Sequence, residues 1–331
     1  MKNKISITLF LVVGCARAMD SRRVFSVGDG YFKCVAVSVT GTHAIAGCGD
    51  SVYIWDLNRD EHACTSHRIL RGHTGYVECV ACTADGRYAL TGSQDTTVRM
   101  WDMDTGACVK VLTGHRDWVI GLAIMPDGAH AITCSLDGTV RVWDLNIGAC
   151  KKILIDMLAG RGPRLQHRPS TIAIMPNAQQ VLIGSVDGTV QVVDWQSGAR
   201  AYWLEQTSDP GQSARIVHDE CVSCQAVTPD GAMAAICSFD QTVRLWDLRM
   251  RQCLYTLAHV NGLCAAATPD SRQVVVGATE PNARVIDMQT GSDARVPTGH
   301  NTWINGIAVL PYGRRCVTTS FDGTVRVWPL V

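Results

Sequence analysis

The sequence predicts an all-β fold: a seven-bladed β-propeller of four-stranded antiparallel blades, with the ring closed by an N-terminal strand that pairs with the last blade. A Trp-Asp pair, or a variant of it, returns seven times at intervals of 40 to 53 residues. A Gly-His pair or a variant of it opens most of these repeats. Repeats of about 40–45 residues with these two markers are typical of propeller blades.

The closing pairs define the register of the repeats. Four are intact and three are weaker copies in which one residue of the pair differs. The intact pairs are Trp55-Asp56, Trp101-Asp102, Trp143-Asp144 and Trp246-Asp247; the weaker copies are Val193-Asp194, Ile286-Asp287 and Trp328-Pro329. The opening pairs are Gly72-His73, Gly114-His115 and Gly299-His300, with Val217-His218 and Ala258-His259 as variants.

The second repeat shows how one blade is encoded. Its first run is nearly continuous in apolar or small residues, which predicts an inner strand buried on both faces. The turns between the later runs contain Asp, Gly or Thr, which suits tight turns. The predicted strands are Tyr76–Cys82, Tyr88–Ser93, Thr97–Trp101 and Cys108–Leu112.

The seventh repeat ends after its third strand, so its blade lacks an outer strand of its own. The segment Arg22–Val27 is β-prone and belongs to no repeat. Pairing it with the sheet that ends at Val331 would complete the blade and remove open sheet edges. We therefore predict a tail over residues 1–20 and a propeller over residues 21–331 that forms a monomeric ring.

These motifs resemble those of the WD-repeat family over residues 22–331. The resemblance implies a buried hydrogen-bond network within a blade. It joins the opener His, a Ser or Thr of the second strand, the turn Asp and the Trp indole. The implied sets are His73/Asp95/Trp101, His115/Asp137/Trp143, His218/Asp240/Trp246 and His300/Asp322/Trp328. The hydroxyls would come from Thr91 or Ser93, Thr133 or Ser135, Ser238, and Thr318 or Ser320.

Three repeats depart from this pattern. The first has no opener His, the fourth has Val193 in place of Trp, and the sixth has Glu280 near the Asp position and Ile286 in place of Trp. We expect these blades to depend on apolar packing.

The same residue types could be taken for a catalytic site, as in the combination of His115, Ser135 and Asp137. An active site is needed once, whereas this combination returns from blade to blade, which favours a structural role. The sequence contains no Gly-Lys pair of a phosphate loop, no Gly-x-Ser-x-Gly and no His-Glu-x-x-His. We predict that the protein is not an enzyme and uses no cofactor.

Two Cys-x-x-Cys spacings, Cys79/Cys82 and Cys221/Cys224, suggest zinc binding. Residues three apart in a strand point to opposite faces, so neither pair can chelate one ion. A small residue also occurs at the third position of every inner strand, as expected where strands converge on an axis. These residues are Cys34, Cys79, Gly121, Thr171, Cys224, Cys264 and Gly306. We predict a packing role and no metal.

In the WD-repeat family, the usual docking face carries the loops into the first strand and the turns between the second and third strands. The resemblance therefore places partner binding on residues just ahead of the first strand and just before the turn Asp. These are Tyr76, Trp118 and Trp303, then Leu136, Val186, Phe239 and Phe321. Aromatic and aliphatic side chains on one rim are typical of a protein-binding hot spot, and burial against neighbouring blades is the alternative.

Two insertions and one short motif offer further interpretations. Residues 157–169 carry Arg161, Arg164, His167 and Arg168, which suits either an acidic or phosphorylated peptide or a solvated loop, and a second insertion spans 207–215. The segment Ser238–Arg249 looks like the Trp-Asp-x-Arg box of substrate receptors of cullin–RING ubiquitin ligases. Its residues would be Asp240, Trp246, Asp247 and Arg249, although Arg after Trp-Asp also arises by chance.

Composition limits the compartment and the partners. Lys+Arg and Asp+Glu number 30 each, so charge gives no support for nucleic-acid binding, and no apolar run reaches the roughly 18 residues of a membrane span. Residues 1–18 have the outline of a secretory signal, and Val12–Cys15 resembles a lipoprotein box. Most of the 15 cysteines fall in predicted strands, which favours a reducing cytoplasm. Both compartments stay open.

Three functions are compatible with the sequence. The first is a non-catalytic scaffold that binds a protein or peptide on one propeller face. The second is a ubiquitin-ligase substrate receptor, which adds one adaptor to the same binding mode. The third is an exported propeller that binds a ligand or acts enzymatically. The periodic recurrence of the His and Asp residues favours the first.

Overall fold

The computed structural model describes residues 23–26, 30–58, 67–156, 168–204 and 217–330. The chain begins with β1 (Arg23–Ser26). Blade 1 comprises β2 (Phe32–Val37), β3 (His43–Cys48), β4 (Ser51–Asp56) and β5 (His67–Arg71); blade 2 comprises β6 (Val77–Cys82), β7 (Tyr88–Ser93), β8 (Val98–Asp102) and β9 (Cys108–Leu112); blade 3 comprises β10 (Val119–Ile124), β11 (His130–Ser135), β12 (Thr139–Asp144) and β13 (Ala149–Asp156).

The remaining blades follow the same plan. Blade 4 comprises β14 (Pro169–Ile174), β15 (Gln180–Ser185), β16 (Val190–Asp194) and β17 (Arg200–Trp203); blade 5 comprises β18 (Val222–Val227), β19 (Met233–Ser238), β20 (Thr242–Asp247) and β21 (Gln252–Ala258); blade 6 comprises β22 (Gly262–Ala267), β23 (Gln273–Ala278), β24 (Glu280–Asp287) and β25 (Asp293–Pro297); blade 7 adds β26 (Ile304–Val309), β27 (Arg315–Ser320) and β28 (Thr324–Pro329). These strands form seven four-stranded antiparallel sheets, which confirms the predicted all-β, seven-bladed propeller.

The ring closes through the N-terminal strand. In blade 7 the strand order is β1-β28-β27-β26, and Phe25 of β1 lies opposite Val325 of β28. The Phe25 side chain is buried, and its ring centroid lies 5.5 Å from that of Trp55 in blade 1. The predicted closure is confirmed, and β1 contributes a core side chain as well as backbone hydrogen bonds.

The core lies between neighbouring blades. Between blades 1 and 2, for example, Ile45 and Leu70 pack against Trp101 of the next sheet. The inner strands are less buried than predicted: in β6 only Val77 is buried, and the five residues after it are half-buried. The expectation of an inner strand buried on both faces is therefore wrong. The inner strands surround the ring axis, so one of their faces has no sheet packed on it.

Small residues adjust the packing where one blade meets the next. In blade 1, Cys34 of the inner strand lies opposite Gly47 of the second strand. A Cβ atom at Gly47 would lie 2.8 Å from the Cys34 sulfur and 2.7 Å from Val77 of blade 2. Only glycine can occupy such a position without displacing its neighbours. Three positions from two blades thus share one limited volume.

Blade 5 fills the same volume in a different way. Its two opposed residues are both cysteines, Cys224 and Cys237. The glycine is found instead at the start of the next inner strand, where a Cβ at Gly262 would lie 2.9 Å from the Cys237 sulfur. The extra thiol in one blade is therefore accommodated by the absence of a side chain in its neighbour.

Candidate partner-binding face

Three blades contain the complete hydrogen-bond network. In blade 2, His73 Nδ1 lies 2.8 Å from Asp95 Oδ2, and His73 Nε2 lies 2.7 Å from the Thr91 hydroxyl. The indole N–H of Trp101 donates to that hydroxyl oxygen over 2.8 Å. Because the Asp95 carboxylate can only accept, the hydrogen of the neutral imidazole lies on Nδ1, and Nε2 accepts the hydroxyl hydrogen of Thr91. The equivalent sets are His115/Asp137/Thr133/Trp143 and His300/Asp322/Thr318/Trp328.

The threonine, and not the serine two residues later, completes the network. Ser93 donates its hydroxyl hydrogen to the Gly75 carbonyl over 2.9 Å and accepts the N–H of Asp95 over 3.1 Å. Ser135 makes the equivalent contacts in blade 3. The serine therefore fixes the tight turn that presents the Asp, while the threonine links the His to the Trp.

Burial and hydrogen bonding set the charge state of these pairs. Burial alone would raise the pKa of Asp95, but hydrogen bonds from Thr97, the Thr74 N–H and His73 outweigh it and lower this pKa to about 2. Burial lowers the pKa of His73, and Asp95 only partly opposes this effect. The pKa values of Asp137, Asp240 and Asp322 shift down as well, as do those of His218 and His300. The His73–Asp95, His218–Asp240 and His300–Asp322 pairs therefore combine an ionised carboxylate with a neutral imidazole.

Blade 5 keeps only half of the network. His218 Nδ1 lies 2.9 Å from Asp240 Oδ2, but Ile236 occupies the strand position that Thr91 holds in blade 2. His218 Nε2 and the Trp246 indole N–H are buried without a hydrogen-bond partner. Ser238 does not supply the expected hydroxyl, because it donates to the Glu220 carbonyl and accepts the Asp240 N–H.

Blade 6 replaces the network with ion pairs. Arg284 Nε donates to Glu280 over 3.0 Å, and its other nitrogens donate to Asp293 and to the His259 carbonyl. The expectation that this blade depends on apolar packing was therefore incomplete. In blade 1 apolar packing does surround Trp55, whose ring contacts those of Phe25, Phe32 and Tyr53.

The face opposite the first-to-second-strand turns carries the predicted docking residues. In blades 2 to 7 a backbone hydrogen bond joins the residue ahead of the first strand to the residue that follows the second strand, at the start of the tight turn. In blade 3 the Leu136 N–H donates to the Trp118 carbonyl over 3.0 Å, and in blade 7 the Phe321 N–H donates to the Trp303 carbonyl over 3.4 Å. Each bond brings the two predicted positions of one blade side by side on this upper face.

Most of the predicted residues project from this face. Six of the seven have side chains that are 40 to 47% exposed: Tyr76, Trp118, Val186, Phe239, Trp303 and Phe321. Leu136 is half-buried. Blade 6 contributes polar residues, Asn261 and Thr279, at the same two positions. The apolar surface is therefore an incomplete circle.

Tyr31, which the Gly-His and Trp-Asp pairs do not single out, connects the aromatic side chains where they lie closest together on this surface. Its ring centroid lies 6.1 Å from that of Tyr76 and 5.3 Å from that of Phe321, both edge-on. Phe321 lies 5.9 Å from Trp303 in the same way. We call these four residues, Tyr31, Tyr76, Trp303 and Phe321, the aromatic arc. Edge-to-face contacts hold their rings in fixed relative positions while one side stays exposed.

A charged pair lies next to the aromatic arc, at the start of the inner strands. Lys33 Nζ lies 2.5 Å from the Glu78 carboxylate, and the Gln94 amide donates to Glu78 over 2.6 Å. The Glu78 side chain is 8% exposed, whereas that of Lys33 is 35% exposed. Lys33 lies two residues after the arc residue Tyr31, and Glu78 lies two residues after the arc residue Tyr76. The site thus combines an apolar rim with a polar interior.

The residues of the predicted adaptor box do not lie together. Asp240 is on the upper face with His218, and Trp246 is fully buried between blades. Asp247 accepts the N–H of Arg249 over 2.8 Å in a turn on the opposite, lower face. There Arg249 is exposed, and the neighbouring Met250 is 72% exposed.

The described residues contain no cluster of three or more His, Cys, Asp or Glu side chains suited to a metal ion. Within the same ranges there is no helix whose length and hydropathy would let it span a membrane. The signal-like segment 1–18 and the insertion 207–215 lie outside the described residues, as does the basic insertion 157–169 apart from Arg168 and Pro169.

Comparisons with known proteins agree with this architecture. The chain matches a family model described as the IFT122 first beta-propeller over residues 32–329. It is similar to target of rapamycin complex subunit wat1 of Schizosaccharomyces pombe (34% identical over 98 residues), nuclear distribution protein PAC1 of Arthroderma otae (28% over 111) and cilia- and flagella-associated protein 52 of Sus scrofa (29% over 136). These matches cover 28, 30 and 40% of this chain, and 30, 24 and 21% of the relatives. The chain thus matches less than a third of each relative's length.

Proposed function

The chain belongs to the WD-repeat β-propeller family, with the IFT122 first beta-propeller as its matching family model, and on this basis we propose that it is a non-catalytic scaffold that binds a protein or peptide on its upper face. The observation that carries the proposal is the aromatic arc with its exposed, mutually oriented rings. Large aromatic side chains that are already ordered lose little conformational entropy on binding, so they contribute strongly to affinity.

The recurrence of the His-Asp pairs supports a non-catalytic role. In blades 2, 3 and 7 both imidazole nitrogens of the opener His are hydrogen-bonded within the blade, as in His73 with Asp95 and Thr91. A general base needs a nitrogen directed at a substrate. The His73 side chain is 0% exposed, so a substrate on the surface has no access to it.

The polar interior beside the arc suggests how a partner would be oriented. Lys33 is the more exposed member of the Lys33–Glu78 pair and retains hydrogen-bond donors for a partner's carbonyl or carboxylate oxygens. Apolar anchors on the rim together with one polar contact inside are a common arrangement in protein interfaces. We therefore include Lys33 and Tyr31 in the proposed site together with the predicted rim residues.

The proposal is tested by comparing partners recovered with wild-type protein and with the Trp118→Ala/Trp303→Ala double variant. Both side chains are exposed, so the free energy of unfolding of the variant, measured in urea, should stay within about 0.5 kcal/mol of the wild-type value. Quantitative affinity purification should show loss of the specific partners by about tenfold or more. The matched control is Ile147→Ala/Met250→Ala, which removes exposed apolar side chains away from the upper face.

Two results would reject this site. One is undiminished recovery of all specific partners by the Trp118/Trp303 double variant. The other is an equal loss with the Ile147/Met250 control, which would indicate a general effect of surface hydrophobicity.

The exposure of Arg249 favours one second candidate, the ubiquitin-ligase substrate receptor. Its guanidinium lies on the lower face beside Met250, so an adaptor could contact it without disturbing the buried Trp246. Co-purification with a cullin–RING adaptor that is abolished by Arg249→Ala supports this role. Absence of the adaptor from the wild-type sample rejects it and leaves the scaffold proposal intact.

A further inference from the structure

A cavity of about 280 Å³ lies on the lower face, between the first turn of blade 7 and the third turn of blade 1. Its floor is apolar and its rim is aromatic and basic. The lining residues are Gly41, Leu57, Asn58, Leu310, Tyr312, Arg314, Arg315 and Val327. Leu310 and Val327 are buried, whereas the Tyr312 side chain at the mouth is 78% exposed.

The turn that carries Tyr312 departs from its equivalents. In five other blades this position holds Asp or Asn, whose side-chain oxygen accepts an N–H two residues later and so stabilises the turn. These residues are Asp85, Asp127, Asn177, Asp230 and Asp270. Tyr312 cannot make this bond, and it exposes an aromatic ring to solvent. The fold alone therefore gives no reason for tyrosine at this position.

Blade 7 also lacks the carboxylate that faces the arginine of this turn in blade 2. There Arg87 lies 3.7 Å from Asp102. In blade 7 the equivalent arginine is Arg314, and Pro329 occupies the position of Asp102. Among the described residues no carboxylate lies within salt-bridge distance of Arg314, whose side chain is exposed. Its guanidinium retains its donors for an external carboxylate, which it can bind in a bidentate manner.

The equivalent cavity between blades 3 and 4 serves as an internal comparison. It has a similar size, about 310 Å³, but its polar groups satisfy one another. His130 lies 2.7 Å from the Asp127 carboxylate and 2.9 Å from Lys151 Nζ. A groove at this position therefore occurs at two places in the ring. Among the described residues, an arginine without a carboxylate partner beside an exposed aromatic ring belongs to the groove between blades 7 and 1.

We propose that this groove binds a peptide segment of a protein partner in which a carboxylate side chain lies close to an apolar side chain. The carboxylate pairs with Arg314, and the apolar side chain enters the cavity above Leu310 and Val327, beside the Tyr312 ring. Positive charge on the rim and the apolar floor select this composition over a basic or purely polar segment. The protein then has two binding faces, and the lower one does not depend on the aromatic arc.

The test is selection of phage-displayed random dodecapeptides on the full chain, after depletion on the Tyr312→Asp variant. This variant gives blade 7 the same Pro-Asp-Gly turn that blade 3 has, so it should fold at least as well as the wild type. It also removes the aromatic ring and places a carboxylate near Arg314. Enriched peptides should contain Asp or Glu within a few residues of an apolar side chain. In fluorescence polarisation, Arg314→Glu in the protein, or Glu→Gln in the peptide, should weaken binding by about tenfold or more, equivalent to about 1.4 kcal/mol.

The controls separate this groove from the upper face. Arg87→Glu changes the equivalent arginine of blade 2, and Trp303→Ala changes the aromatic arc; both should leave the dissociation constant within about twofold. The proposal is overturned if no peptide survives the Tyr312→Asp depletion, if enriched peptides lack a carboxylate, or if Arg314→Glu has no effect. Failure of the upper-face experiment with Trp118 and Trp303 would leave this result unchanged.

Discussion

Substitution of Ile236 by threonine should stabilise the protein, although it places a polar group in the core. In blade 2 the hydroxyl of Thr91 joins His73 Nε2 to the Trp101 indole N–H. In blade 5 the corresponding atoms of His218 and Trp246 have no partner, because Ile236 offers none. A threonine at this position can donate to the imidazole nitrogen and accept from the indole, and so complete the network.

The size of the effect follows from two opposing contributions. Ile236 is fully buried, and loss of its larger apolar side chain should cost about 1.5–3 kcal/mol. Each unpartnered buried polar atom costs about 1–3 kcal/mol, and two of them are satisfied in the variant. At the middle of these ranges the two satisfied atoms gain about 4 kcal/mol against a cost of about 2 kcal/mol, so the free energy of unfolding should rise by about 2 kcal/mol. A higher midpoint of urea unfolding at unchanged m-value would show it.

Blade 4 supplies a matched control. Ile183 is also fully buried and occupies the same strand position, opposite Gln191, but Val193 stands where blade 5 has Trp246. No indole is present there, and one buried donor, Gln191 Nε2, lies opposite, so Ile183→Thr should be at least about 1 kcal/mol less stable relative to wild type than Ile236→Thr. Equal destabilisation by Ile183→Thr and Ile236→Thr would refute the reasoning, since it would mean that the two buried atoms of blade 5 gain nothing from a hydroxyl.

Three further predictions address packing, closure and pH. Gly262→Val should lower stability by about 1–3 kcal/mol through overpacking against Cys237, and most of the loss should be recovered in the Gly262→Val/Cys237→Gly double variant, as measured by a double-mutant cycle in urea. Phe25→Ala should cost about 3–5 kcal/mol in the same assay, because β1 then closes the ring without its core side chain; a change below about 1 kcal/mol would contradict the closure role. Because the folded-state pKa values of His73 and Asp95 lie below their ordinary values of 6.5 and 3.8, the unfolded state takes up protons first. The His73 and Asp95 titrations should leave stability constant from pH 6.5 to about 8, below the ordinary thiol pKa of 9.0. They should lower stability as the pH drops below 6.5 and again from 3.8 towards 2; a urea midpoint that rises on acidification would contradict this sign.

The number of blades and the closure of the ring could be predicted because both follow from the repeat period. Seven closing pairs and one β-prone segment outside any repeat leave few other ways to complete the sheets. Burial of the inner strands could not be predicted in this way. The apolar run of β6 is compatible with packing on both of its faces. One face is left uncovered because the strand lies beside the ring axis.

The side chains of the network were predictable in type but not always in identity. Thr91 and Ser93 are two apart and point to the same side of β7, so the sequence alone did not distinguish them; the pairing of Thr91 with Arg99 across the sheet brings its hydroxyl to the indole. The ion pairs of Arg284 depend on the register shift after Val276, which no local pattern encodes. Contacts set by register and by bulges need the three-dimensional structure.

The sequence contains a signal for Tyr31, but the opening Gly-His and closing Trp-Asp pairs do not reveal it. It precedes Phe32 in the way that Tyr76 precedes Val77, but blade 1 has no opener His to align the two. Alignment on the second strands, where Gly47 and Gly92 correspond, places Tyr31 and Tyr76 at the same position. The aromatic arc was therefore partly accessible from the sequence, although its ring-to-ring distances were not.

The repeats also provide a physical criterion for function, because each blade serves as a reference for the others. Some departures from the common pattern are compensated nearby: Cys237 by Gly262, and the missing network of blade 6 by the ion pairs of Arg284. Such pairs keep the ring stable and require no further explanation. Tyr312 has no such compensation, because it gives up a turn-stabilising bond and exposes an apolar ring, both of which disfavour the isolated molecule. An uncompensated departure on the surface is best explained by a partner that covers it, whereas the buried departure at Ile236 predicts a measurable loss of stability.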